Sequence, residues 1–109
     1  MATKILYQLD SLNKFKLITI QGHTDYAEKG KDIVCAAISA ITNGTINFLH
    51  QYYSTTCQIT YLPARISIHL LNDNPDCQLI LKLMLYQLKN VAGSYPYYLE
   101  IEKIKPSNP

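Results

Sequence analysis

Two long segments of helical hydrophobic spacing, each preceded by a pair of short alternating runs, set most of what this chain can fold into. In the first segment Ile33, Val34, Ala37, Ile38, Ile41, Phe48, Leu49 and Tyr52 recur at intervals close to a helical turn, which marks the apolar face of an α-helix. Asp32 is its natural N-cap. Gly44 and Thr45 weaken the middle, yet the apolar phase carries on through Phe48 and Tyr52, so the spacing predicts one helix to about Tyr53. In the second segment Asn74-Pro75 supplies a cap followed by proline at the first helical position. That helix runs to Ala92, with Gly93 expected to close it.

Ahead of the first helix, Ile5, Tyr7 and Leu9 alternate with polar or smaller neighbours. Asp10-Ser11-Leu12-Asn13 then reads as a turn into a second run, Phe15 to Ile20, and the two runs form a hairpin. Between the helices Cys57, Ile59 and Tyr61 alternate with Gln58, Thr60 and Leu62. Pro63-Ala64 turns the chain, and Ile66, Ile68 and Leu70 form the apolar face of the next strand. Tyr97, Leu99 and Ile101 make a last strand. The order β-β-α-β-β-α-β predicts an α/β fold over residues 1–104, a single layered domain whose mixed sheet carries both helices. The pattern leaves the order of strands in that sheet open, and residues 105–109 read as a loose tail.

Composition narrows the partners. A chain of 109 residues with 48% apolar content fills one compact core. Charged residues make up 17%, the formal charge is +2, and the ten Lys and Arg are scattered, so no basic stripe points to direct nucleic-acid binding. Nine tyrosines without a tryptophan read as core packing, because most fall at strand or helix core spacing without interleaved Arg. The opening residues show no signal peptide and no membrane span is apparent, so the expectation is a cytoplasmic protein without a membrane partner. Cys35, Cys57 and Cys77 are odd in number, widely spaced and lack a CxxC pair. That pattern favours thiols in a reducing compartment over a disulfide scaffold or a zinc knuckle, and no metal or cofactor is implied.

With the helix start at Asp32, Cys35 falls in the first turn, where backbone N–H groups and the positive end of the helix dipole favour a thiolate. Asp32, Cys35 and Ser39 follow at spacings of three and four and share a stripe bordering the apolar face of Val34, Ile38 and Ile41. His23 closes the preceding strand. The loop between them begins at Gly22 and ends at Gly30, so the imidazole can fold back toward the helix start, and residues 24–31 can act as a gate for a peptide. A thiolate attacks a carbonyl while an imidazole takes the thiol proton and later returns it to the leaving amine, which is why the chemistry needs this pair. The residues alone equally allow a bland reading: Cys35 as a small helix residue, Asp32 as a cap only, and Ser39 as a solvated position. Cys57 and Cys77 read as structural, and His50 and His69 as surface or partly buried residues.

The string from Gly22-His23-Thr24-Asp25-Tyr26 through Gly30-Lys31-Asp32-Ile33-Val34-Cys35 to Ile38-Ser39-Ala40 resembles the signature of the ribosomal-processing cysteine proteases, Prp. The order of elements is similar along nearly the whole chain. The resemblance implies a peptidase that removes the N-terminal extension of a large-subunit ribosomal protein, the one numbered twenty-seven. It carries the catalytic pair onto Cys35 and His23 and the family's important acid and serine onto Asp32 and Ser39. Asp32 is then a third member orienting imidazolium, a helix cap, or both. Thr24 departs from the alanine usual after the histidine. Val34, Ile38 and the loop residue Tyr26 are expected to receive apolar substrate side chains. The second helix is apolar around much of its circumference, and together with the resemblance this predicts a homodimer. Two other readings use the same residues: a non-enzymatic ribosome-associated binding or assembly module, and a thiol redox or acyl-transfer protein. The redox reading wants a resolving cysteine, which the sequence spacing does not bring near.

Overall fold

Asp10 ends the first strand and organises the turn that follows it. In a computed structural model of the chain, which describes residues 3–22 and 31–105, its carboxylate accepts from the backbone N–H of Leu12 at 2.8 Å and of Lys14 at 3.0 Å. Asn13 takes the left-handed conformation the turn needs, with φ 61°. The bond from Lys14 holds the Asp10 carboxyl below its ordinary range. This turn joins β1 (Thr3–Leu9) to β2 (Phe15–Gln21), and the chain continues through α1 (Lys31–Tyr52), β3 (Cys57–Leu62), β4 (Arg65–Leu70), α2 (Pro75–Ser94) and β5 (Leu99–Ile104).

The five strands form one mixed sheet in the order β3-β4-β2-β1-β5. β1 and β5 are parallel, and the other neighbours are antiparallel. Pairing aligns apolar rows across one face: Ile101, Ile5, Ile20, Ile66 and Tyr61 in one, Tyr7, Ile18, Ile68 and Ile59 in the next. Val34, Ile38, Ile46 and Leu49 of α1 and Cys77, Leu81, Met84, Leu85 and Leu88 of α2 complete the buried core with these rows. The architecture is the layered α/β domain that the order of elements predicts.

The helix ends differ from the sequence expectation by small steps. α1 starts at Lys31, so Asp32 lies inside the first turn rather than capping it. Gly44 interrupts nothing, since α1 is continuous to Tyr52. Asn74 caps α2, its side-chain oxygen accepting from Asp76 N–H at 2.9 Å and Cys77 N–H at 3.1 Å. Gly93 does not close α2. The helix runs on to Ser94, with the Tyr95 N–H donating to the Val91 carbonyl at 2.9 Å, and Gly93 does not take the left-handed conformation of a closing glycine. Tyr97 precedes β5 rather than belonging to it, and it is 88% exposed.

Helix α1 is less one-sided than its spacing suggests: Ile33, Phe48 and Tyr52 are exposed while Val34, Ile38, Ile46 and Leu49 are buried. By length and composition the stretch Ile33–Tyr52, with mean hydropathy 1.3, would suffice to cross a bilayer. Its buried stripe packed on the sheet and on α2 is that of a core helix. Among the tyrosines, Tyr52, Tyr61, Tyr86, Tyr95 and Tyr97 are exposed, which corrects the reading of tyrosine as core. Of the adjacent pairs at 52–53 and 97–98, only Tyr53 and Tyr98 pack against the core.

Candidate active site

The fold brings the end of β2, residues 38–43 of α1 and the β3–β4 turn together. β4 lies beside β2 with Gln21 opposite Arg65, so the two-residue turn Pro63-Ala64 lands next to Gly22. The Gly22 N–H donates to the Ala64 carbonyl at 2.8 Å. Both residues are left-handed, Gly22 at φ 76° and Ala64 at φ 57°. Glycine adopts this conformation without cost from a Cβ, and alanine does not.

Cys35 is the fifth residue of α1, one turn from its positive end, and is half-buried. Ser39 follows one turn later and is exposed, while Val34 and Ile38 are buried. The Cys35-to-Ser39 stripe therefore runs along the border of the apolar face. Beside Ser39 opens a cleft of about 260 Å³, with Ile38, Ser39, Thr42 and Asn43 on the helix side. Gly22, Tyr61, Leu62, Ala64 and Arg65 face them. The Thr42 hydroxyl donates to the Ile38 carbonyl at 2.8 Å and is thereby satisfied within the helix. Tyr61 and Leu62 present exposed apolar surface at the rim.

Of the residues singled out in the sequence, Gly22, Ile38 and Ser39 meet in this cleft. Val34 does not line it. At 1% exposure it is a core residue, turned toward the sheet by its place on α1, so it supports the cleft instead of receiving a side chain. His23, Tyr26 and Gly30 lie outside the described residues, as does the expected gate save for the backbone of Lys31. No local spacing pointed to Tyr61, Leu62 and Arg65 at the cleft. Their turn was legible, but its neighbour in space depends on the strand order.

The other sulfurs behave differently. Cys57 and Cys77 are buried, and burial pushes the Cys57 thiol up to about 12 and raises Cys77 as well. His69 and His50 are exposed, His50 in the last turn of α1. No group of three or more His, Cys, Asp or Glu among the described residues is arranged to hold a metal ion. A larger groove, about 560 Å³ between α2 and the β1–β2 turn, contains none of the residues singled out for chemistry.

Cys35 itself does not line this cleft but lies one turn before it on α1. A layered α/β domain with a half-buried cysteine one turn into a helix, followed by a cleft with an apolar rim, suits a thiol peptidase. Residues 2–100 match the family model for the cysteine protease Prp, and the chain belongs to that family. It is 34% identical over 86 residues to the ribosomal processing cysteine protease Prp of Mycoplasma genitalium, covering 79% of this chain and 86% of the relative. Its counterpart from Staphylococcus aureus is 33% identical over 81 residues, 72% of this chain and 76% of the relative. Among solved structures, the essential ribosomal processing protease Prp from S. aureus in complex with a substrate peptide superposes with a TM-score of 0.83 at 27% identity, over 94% of this chain and 99% of that one. The same protease with a covalently linked product peptide gives 0.81 at 28% identity and the same coverage.

Proposed function

We propose that this cysteine protease is an endopeptidase that removes the N-terminal extension of the large-subunit ribosomal protein numbered twenty-seven. Cys35 is the nucleophile and His23 its base, with Asp32 and Ser39 in support. The observation that carries the reading is the position of Cys35, half-buried one turn into α1 and one turn before the Ser39 cleft. A relative with the same fold holds a substrate peptide, which supports a peptide as the ligand here.

The Cys35 sulfur attacks the scissile carbonyl carbon, and its proton passes to the His23 imidazole. Backbone N–H groups near the helix start stabilise the oxyanion. Imidazolium then returns the proton to the leaving amine, and water attacks the thioester to release the acid. Ile38 on the cleft floor and Tyr61 and Leu62 on its rim suit apolar side chains flanking the bond that is cut. Asp32 orients imidazolium or complements the helix dipole. The reading places the protein in the cytoplasm, where ribosomes mature, and as a homodimer.

Mixing the protein with the extended ribosomal protein and following fragments by mass spectrometry tests it. One defined cut near the N-terminus is expected. Binding without any cut would favour a ribosome-associated binding or assembly module instead.

A further inference from the structure

Cys57 and Cys77 stand twenty residues apart in the chain, yet their sulfurs lie 3.6 Å from one another inside the core. Cys57 opens β3 and Cys77 lies in the first turn of α2. Their backbones are fixed from both sides. The Cys57 N–H donates to the Tyr53 carbonyl at 3.0 Å, the Tyr53 hydroxyl donates to the Asp76 carboxylate at 2.8 Å, and Asn74 caps the Cys77 N–H. A disulfide needs about 2.05 Å between sulfurs, so the contact has to close by about 1.5 Å.

We propose that Cys57 and Cys77 form a latent disulfide, closed by a low-molecular-weight disulfide such as oxidised glutathione. In the contact Cys57 donates its S–H to the Cys77 sulfur, so Cys77 is the better thiolate of the two, aided by its place at a helix start. Cys77 loses its proton to solvent, and its thiolate attacks one sulfur of the oxidant, forming a mixed disulfide and expelling one thiolate. Cys57 then loses its proton and attacks the Cys77 sulfur, expelling the second thiolate. Two protein thiols are oxidised, one external disulfide is reduced to two thiols, and no other reactant is needed.

Burial sets the tempo. Cys77 has no exposure and Cys57 only 5%, so exchange waits on local opening of β3 from α2. Once closed, the bond is shielded by the same packing. It staples the start of the edge strand β3 to α2 and encloses the β3–β4 hairpin, whose turn walls the cleft beside Ser39. Oxidation therefore yields a stiffer protein with the far end of β3 untouched.

The test uses the full chain carrying Cys35→Ala, which leaves only this pair. Equilibration with oxidised glutathione under mildly alkaline conditions, repeated close to the melting midpoint so that access is assured, is read by intact mass, peptide mapping and thermal melting. The expected product has lost two hydrogen atoms, carries no glutathione and yields a Cys57–Cys77 linked peptide. Its melting temperature rises by on the order of 10 °C and returns with dithiothreitol. Adding Cys57→Ala must abolish the rise. Two thiols persisting near the midpoint, glutathione adducts at equilibrium, or a linked product that melts lower would each overturn the proposal.

Discussion

The Gly22 N–H donates to the Ala64 carbonyl at 2.8 Å, joining the end of β2 to the β3–β4 turn at the mouth of the cleft. Both residues adopt positive φ, and only one of them is glycine. Gly22→Ala is expected to cost roughly 1–2 kcal/mol. Ala64→Gly relieves strain but loosens the unfolded chain, for a net gain of about 0.5 kcal/mol. Denaturant melts of both variants check the signs. On the reading that His23 is the base, Gly22→Ala also slows cleavage well below what its folded fraction accounts for, because Gly22 sets the direction of the chain into His23. Cleavage that tracks the folded fraction would remove Gly22 from the positioning of the base.

The catalytic assignment separates by substitution. On the proposed assignment, Cys35→Ala removes the nucleophile and little surface, so peptide binding persists while fragment formation falls to background. His23→Ala leaves the thiol in place, and turnover is expected to drop about 10²–10⁴-fold with KM little changed. Asp32→Asn retains a side-chain oxygen and loses the charge. A small change in turnover with lowered stability fits a role at the helix start, whereas a large fall in turnover at unchanged stability fits imidazolium orientation. Single-turnover cleavage and thermal melts on the three variants provide the readout.

Burial gives the protein an alkaline liability. Cys57 is raised from an ordinary 9.0 to about 12 in the folded state, first by desolvation and then by its contact with Cys77. Above the ordinary value the unfolded thiol releases its proton while the folded one keeps it, so the unfolded state binds fewer protons and stability falls as pH rises. Between those two values the loss reaches about 2 kcal/mol near pH ~10.5. Below the ordinary thiol range the contribution is fully present. Chemical denaturation at several alkaline pH values, compared with Cys57→Ala, should show a shallower slope in the variant. Equal slopes would mean Cys57 titrates normally in the fold. The same burial predicts that iodoacetamide modifies Cys35 well before Cys57 or Cys77, which mass mapping over time checks.

The element order was legible because hydrophobic period and local turn chemistry are properties of neighbouring residues. Asn74-Pro75 and Asp10-Ser11-Leu12-Asn13 state their turns and caps directly. What escaped depends on residues far apart in the chain. Placing β4 beside β2 puts Tyr61, Leu62 and Arg65 at the cleft, and packing α2 near the start of β3 brings two cysteines into contact. That Cys35 and Ser39 lie one turn apart on one helix could be read from spacing, and the family from the motif around them. The exposure of Ile33, Phe48 and Tyr52 could not, since helical period says which residues share a face but not whether one partner covers all of it.

Exposed apolar residues on both helices support the last prediction, a homodimer. Leu79, Leu83 and Tyr86 recur along one stripe of α2 and are 68%, 57% and 66% exposed, while Leu81, Met84, Leu85 and Leu88 fill the core on the other side. On α1 the rings of Phe48 and Tyr52 pack together at 4.8 Å on the surface, with Ile33 exposed one end away. Since both helices cover the same face of the sheet, these residues form an outer apolar layer that a second copy can bury. Sedimentation at micromolar concentration is expected to show a dimer. Leu83→Arg should yield a monomer, because it sets a charge in the middle of the α2 stripe, and its exposure in the single chain means the core is not disturbed. A circular dichroism spectrum like that of the unmodified protein would show that the monomer stays folded. If the unmodified protein sediments only as a monomer, or if Leu83→Arg still dimerises, this outer layer is not the interface.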